Sequence, residues 1–202
     1  MTMTHLCQAL TSENRAVALA AACNLVYARR LVTSLSGNAS CRVPAGFLCT
    51  PTGFCLGEVT ATDLVALDAA WRPMSDIRLP SSEWRLHAAI YRALPAAGAV
   101  VHTHSRAATL MAVLGRDIAP LTPEMDHFLG NVPCLPFAPP GTDDVGAGVA
   151  RAINAGARAV LLGSHGAVVW ARDVRLAYYQ AELLEASCSL TMAVTLAGGT
   201  RA

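Results

Sequence analysis

The sequence predicts an α/β protein: a three-layer α/β/α sandwich around a mostly antiparallel sheet. Three observations carry this expectation. The run ARAVLLGSHGAVVWA, residues 157–171, sets two β-branched segments around Gly163-Ser164-His165-Gly166, a hairpin signal. The run CRVPAGFLCTPTG, residues 41–53, holds two more short β-like segments joined by a Gly-containing turn. Helical stretches stand between these hairpins, so the order of elements does not suit a strictly alternating parallel sheet.

Taken in order, Thr11 or Ser12 is placed to cap a first helix running to about Arg30, with Glu13 in its first turn. SLSGNAS follows as a turn, and after the 41–53 hairpin, Leu64 to Leu67 reads as a strand. WRPMSDIRLP reads as a loop. A second helix is expected to start at Ser81 or Ser82 and run to about Leu94, stopped by Pro95. Ala99 to His104 reads as a strand, and Ser105 to Leu114 as a helix ended near Gly115. Residues 116–143 are proline-rich and read as an irregular connection with a short strand at Val132 to Phe137. A helix from Asp143 or Asp144 to Asn154, the 157–171 hairpin and a last helix from Val174 to about Leu196 complete the chain. No repeat, low-complexity segment or linker interrupts it, so residues 1–202 are expected to form a single domain.

Composition excludes several classes. With 53% hydrophobic and 14% charged residues and a mean hydropathy of +0.41, the chain is not disordered. So few charges on a small domain hint at surface buried between subunits. Net charge is +1, without a basic block or aromatic–basic interleaving, which argues against nucleic acid as a partner. The longest apolar helical stretches, Ala16 to Ala28 and Leu183 to Leu196, fall short of the roughly 20 residues that span a bilayer, so no membrane partner is expected. The start MTMTHLCQALTSENR lacks a charged region followed by an apolar core. Seven cysteines without a C-x-x-C pair fit free thiols in a reducing cytoplasm; Cys41, Cys49 and Cys55 lack zinc-knuckle spacing and read as packing residues.

Four residues could ligate a metal. In AVVHTHS, residues 99–105, His102 and His104 project from the same strand face. His165 sits on a hairpin turn between two glycines, and Glu83 falls in the first turn of the second helix. Three imidazoles and a carboxylate suit Zn²⁺ or another divalent first-row metal. Spacing alone does not bring His165 to the pair. His87, four residues after Glu83 on the same helical face, reads as a supporting or packing residue.

SLSGNAS, TPTG, LPSSEWRLH, AVVHTHS and LLGSHG, read together, resemble the class II aldolase/adducin family. The matches run in family order from about residue 13 to 190. The resemblance implies the sandwich fold, a homotetramer with active sites shared between subunits, and a cytoplasmic enzyme of carbohydrate metabolism. It implies His102, His104 and His165 as zinc ligands, with Glu83 as an exchangeable fourth ligand and catalytic acid/base. Family members carry two adjacent histidines before the hairpin glycine where this chain has Ser164-His165, and the retained one is the ligand. The implied activity is zinc-dependent lyase cleavage of a ketose 1-phosphate, of the L-fuculose 1-phosphate kind, through an enediolate. The phosphate would rest on Gly37, Asn38, Thr52, Gly53, Ser81 and Ser82, whose turns and helix N-terminus offer backbone N–H groups.

Two departures keep the substrate class open between a phosphorylated sugar and a sugar acid. Leu35 stands where the family's phosphate turn opens with threonine. Aldolase members carry a proton-donating tyrosine after the metal strand that reaches a neighbouring active site. Here APLTPEMDHFLGN puts Thr122 or Pro123 at that place and offers Glu124, Asp126 and His127 as polar substitutes, with His127 and Glu124 as candidate acid/base groups. The L-T-P run also resembles the branch that decarboxylates 3-oxo-tetronate 4-phosphates. Epimerase members carry aspartate at the place of Glu83, and adducin-like binding modules lack the metal histidines, so both are disfavoured.

Overall fold

The computed structural model describes residues 3–10 and 14–199. Thr11, Ser12 and Glu13, expected at the first cap, lie outside the described residues. The helices are α1 Met3–Ala9, α2 Arg15–Ala28, α3 Trp84–Ala93, α4 Arg106–Val113, α5 Pro123–Phe128, α6 Asp143–Asn154 and α7 Val174–Leu196. The strands are β1 Asn38–Val43, β2 Gly46–Cys49, β3 Val65–Leu67, β4 Ala99–Thr103, β5 Cys134–Leu135, β6 Ala159–Leu162 and β7 Gly166–Ala171. They form one sheet in the order β3-β2-β1-β4-β7-β6-β5, and every pairing described is antiparallel except β5–β6.

Strand periodicity makes the three layers. Ala99 and Val101 of β4, with Ala167, Val169 and Ala171 of β7, face a core shared with α1, α2, α4 and α7. Val100, Val168 and Trp170, the alternate residues, face a second core with α3 and α6. Both faces of the central strands are therefore buried, which explains their nearly continuous apolar composition.

Local chemistry sets the helix ends. The Asn14 side chain accepts hydrogen bonds from the Ala16 and Val17 amides, at 3.0 and 3.4 Å, and so caps α2. Asp173 caps α7 through the Leu176 amide at 2.8 Å.

Three sequence expectations need correction. First, α3 starts at Trp84 rather than Ser81 or Ser82, because the Ser81 amide bonds to the Thr50 carbonyl at 2.9 Å and keeps that residue in the sheet-side connection. Glu83 is thus the residue preceding the helix. Second, residues 116–143 contain α5, which prolines disguise: Pro123 occupies the first helical position, where no N–H is needed, and Thr122 Oγ1 accepts from the Met125 amide at 3.2 Å. Third, the strand expected over Val132 to Phe137 shrinks to Cys134–Leu135, since Pro133 and Pro136 on either side have no N–H for the ladder. Helix α1 had no counterpart in the sequence reading.

Candidate metal centre

β1, β4 and β7 lie side by side with Asn38 opposite His102 and His102 opposite Val168. This register sets the end of β4, with His102 and His104, beside the β6–β7 turn carrying His165. Glu83, immediately before α3, reaches the same point. One ligand atom from each of Glu83, His102, His104 and His165 lies within 4.8 Å of all the others. The three imidazoles meet edge to face with centroids 4.7, 4.8 and 4.9 Å apart.

The donor atoms fit a divalent cation. His102 Nδ1 must donate to the Ala167 carbonyl, 2.9 Å away, because a carbonyl only accepts. In the neutral ring Nε2 is then a bare lone pair, and it faces His104 Nε2 at 2.8 Å and Glu83 Oε2 at 3.1 Å. Glu83 Oε1 is buried without a hydrogen-bond partner, 3.3 Å from His165 Nε2. Electron-rich atoms converging on one point are what such an ion satisfies. Burial first, then the neighbouring His102, lowers the His104 pKa to about 4 and moves His165 the same way, with Glu83 opposing in both cases. Both rings are neutral at pH 7, the form that ligates. Burial alone would push the Glu83 carboxyl up, but His102 and His165 in their protonated forms, and the Asn38 amide, outweigh it and hold it well below the usual carboxylate range.

Two glycines make room for the cluster. A Cβ on Gly166 would collide with the Thr103 carbonyl and stand 3.0 Å from His104 Cδ2 and 3.3 Å from His102 Cε1. Gly37 has φ of 77°, and a Cβ there would strike the Val32 side chain and sit 2.9 Å from the His102 carbonyl oxygen.

The expected anion-binding segments are stitched together next to this centre. Thr50 exchanges hydrogen bonds with Ala39, its carbonyl accepts from Ser81, and Thr52 donates to Leu79 at 3.1 Å. Thr52, Gly53 and Ser82 are exposed, while Ser81 is buried and its hydroxyl accepts from the Glu83 amide at 3.3 Å. The Asn38 side chain is engaged: Nδ2 donates to Glu83 Oε2 at 2.8 Å, and Oδ1 meets His87 Nε2 at 2.6 Å. A cleft of about 1180 Å³, lined among others by Asp117, Phe137, Arg151 and Gly163, opens beside His165.

Glu124 and His127 are exposed on α5, and no hydrogen bond or ion pair among the described residues joins them to the four clustered side chains. The His127 ring packs edge-on against Phe128, and its carbonyl accepts from the Arg158 guanidinium. The sequence reading missed Ser40 and Tyr91, which extend the contacts of His87. The available signal was spacing: residues 38 and 40 share a strand face, and 83, 87 and 91 share a helix face.

A model of the class II aldolase and adducin N-terminal domain matches residues 17–192. A 3-oxo-tetronate 4-phosphate decarboxylase of Cupriavidus necator is 40% identical over 174 residues, covering 83% of this chain and 78% of that protein. An L-fuculose phosphate aldolase of Escherichia coli K12 is 35% identical over 164 residues, 79% of this chain and 75% of that one. Among solved structures, YgbL of Klebsiella pneumoniae superposes with a TM-score of 0.83 at 32% identity, over 96% of this chain and 91% of the other. With the sandwich and the histidine cluster both in place, this chain belongs to the class II aldolase/adducin family.

Proposed function

We propose that the protein is a divalent-metal-dependent carbon–carbon lyase acting on a phosphorylated sugar or sugar acid. The convergence of Glu83, His102, His104 and His165 carries this reading. The composition supports it: all 15 basic residues are arginine, so no lysine exists to form a Schiff base with a carbonyl substrate. Held by these four residues, a divalent ion, zinc by the nitrogen-rich donor set, would act as a Lewis acid toward the substrate carbonyl and adjacent hydroxyl. Glu83 is the group that moves the proton: anionic, with one carboxylate oxygen out of hydrogen bonding, it would accept the proton of the substrate hydroxyl and return it to the carbon that loses CO₂. The Thr52 and Ser82 hydroxyls and the backbone around Gly37 and Gly53 hold the phosphate, with Ser81 fixing the turn behind them, and Asn38 keeps a second amide hydrogen for it beyond its bond to Glu83.

Decarboxylation of a 3-oxo sugar-acid phosphate is favoured over aldol cleavage of a ketose 1-phosphate by two features. The decarboxylase relative is the more similar of the two compared, 40% against 35%. α5 also carries Thr122-Pro123 and no tyrosine, so the phenol that suits protonation of a departing aldehyde is missing. Glu124 and His127 lie outside their own chain's cluster, so any part they take requires a neighbouring copy, as in a tetramer with shared sites.

The test pairs CO₂ release from 3-oxo-tetronate 4-phosphate with aldehyde release from ketose 1-phosphates, on wild type and Glu83→Gln. CO₂ release that drops by ~10²–10⁴ in the variant while metal stays bound is expected. Aldehyde release without CO₂ would restore aldol cleavage, and normal turnover in the variant would remove Glu83 from the chemistry.

A further inference from the structure

We propose that His87 is a positioning residue that acts through Asn38 to give the two oxygens of Glu83 different tasks. The chemical consequence rests on the proposed role of Glu83, whereas the strut itself rests on geometry alone.

Five residues form an unbranched chain of hydrogen bonds between α3 and β1. Tyr91 OH and Ser40 Oγ are 3.1 Å apart, Ser40 Oγ and His87 Nδ1 2.7 Å, His87 Nε2 and Asn38 Oδ1 2.6 Å, and Asn38 Nδ2 and Glu83 Oε2 2.8 Å. Ser40 and His87 are fully buried, and Tyr91 and Asn38 are 4% and 5% exposed.

The direction of every bond follows from its last member. A carboxylate only accepts, so Asn38 must turn its NH₂ toward Glu83 and its carbonyl toward His87. His87 then has to carry its proton on Nε2 and present Nδ1 as a lone pair. Ser40 donates to that lone pair and accepts from Tyr91. All donors point toward Glu83, and reversing any member would leave buried donors facing each other.

The outcome at the carboxylate is unequal. Oε2 takes the Asn38 hydrogen and lies against His102, while Oε1 has no hydrogen-bond partner. Oε2 is the anchored oxygen, and Oε1 is the one left for a metal ion or a proton. Without the His87 donor, Asn38 is held from one side only and Glu83 gains freedom to rotate, which blurs that distinction. Neither His87 nor Ser40 touches the substrate in this scheme, so both work at a distance.

The experiment has three readouts. ¹⁵N NMR of the wild-type holoprotein should show His87 with a protonated Nε2 and a bare, hydrogen-bonded Nδ1. His87→Phe and the milder Ser40→Ala, loaded with Co²⁺, should keep one ion per chain but shift the visible d–d absorption as the Glu83 carboxylate loses its fixed orientation. In the zinc forms, kcat for CO₂ release from 3-oxo-tetronate 4-phosphate should fall by about tenfold to a hundredfold for His87→Phe and less for Ser40→Ala, with KM nearly constant, since misplacement of a reacting group costs rate. A proton on Nδ1, or an unchanged Co²⁺ spectrum in Ser40→Ala, would overturn the proposal. If wild type lacks CO₂ release while the NMR and Co²⁺ results come out as expected, the proposed reaction fails and the strut stands.

Discussion

The Nε2 atoms of His102 and His104 lie 2.8 Å apart, and the Nδ1 of His102 is committed to the Ala167 carbonyl. The ring of His102 is therefore oriented from the far side by backbone, and its lone pair is aimed at its neighbour and at Glu83 before any ligand arrives. Orientation by an outer hydrogen bond is what raises the basicity of a metal-binding imidazole and limits the entropy lost on ligation.

The first prediction concerns that lone pair. Purified protein should hold one divalent ion per chain, and alanine at His102, His104 or His165 should each abolish it, as read by elemental analysis. Stripping the ion from wild type should lower stability by about 2.7 kcal/mol relative to protein held at a hundredfold excess of metal over Kd. Full occupancy in all three variants would remove the centre.

Gly166→Ala should damage the same centre without touching a ligand. The added methyl has to displace the Thr103 carbonyl or the rings of His104 and His102. Loss of stability of ~1–3 kcal/mol is expected for such overpacking. Metal affinity should fall with it, measured by competition with a coloured chelator. Normal affinity would show that the turn relaxes freely.

Glu185 of α7 should prove structurally important although it lies far along the chain. Its two carboxylate oxygens accept from the Ala107 and Ala108 amides, each at 2.9 Å, and so cap α4 directly after His104 and Ser105. Glu185→Ala removes both bonds and the favourable charge at that helix end, for a loss of ~1–2 kcal/mol in urea unfolding. An unchanged midpoint would mean that water or the Ser105 side chain replaces the cap.

Acid stability should report on His87. Burial, reinforced by His102 and opposed by Glu83, lowers its pKa from 6.5 to about 3. The folded form thus stays neutral while the unfolded chain takes up a proton near 6.5, so stability is fully present above that pH and falls as pH drops toward 3. The slope from this group is about 1.4 kcal/mol per pH unit in that window. Unfolding of wild type and His87→Phe at pH 7, 6 and 5 should give a shallower decline in the variant, and parallel curves would mean that His87 is protonated in the folded state.

Much was legible in the sequence because it depends on near neighbours. Continuous β-branched and apolar runs marked β4, β6 and β7, Gly163 to Gly166 marked the β6–β7 turn, and Asp143 and Val174 opened helices where the structure places them. The types of residue that gather in the histidine–glutamate cluster were readable too, since His102 and His104 share a strand face by period alone. Proline misled, because the same ring that breaks a helix interior also starts a helix at its first position, and only the environment of Pro123 distinguishes the two. What the tertiary structure decided was convergence. Nothing within a short window brings residues 38, 83, 102 and 165 to one point. That depends on β1, β4 and β7 being neighbours in register and on α3 packing over one sheet face with Glu83 at its start, which is settled by burying two apolar faces of one sheet at once. The task of Asn38 shows the difference most plainly. As a residue in a turn it offered itself to an anion, and only the fold, by closing His87 behind it, turned its amide toward Glu83.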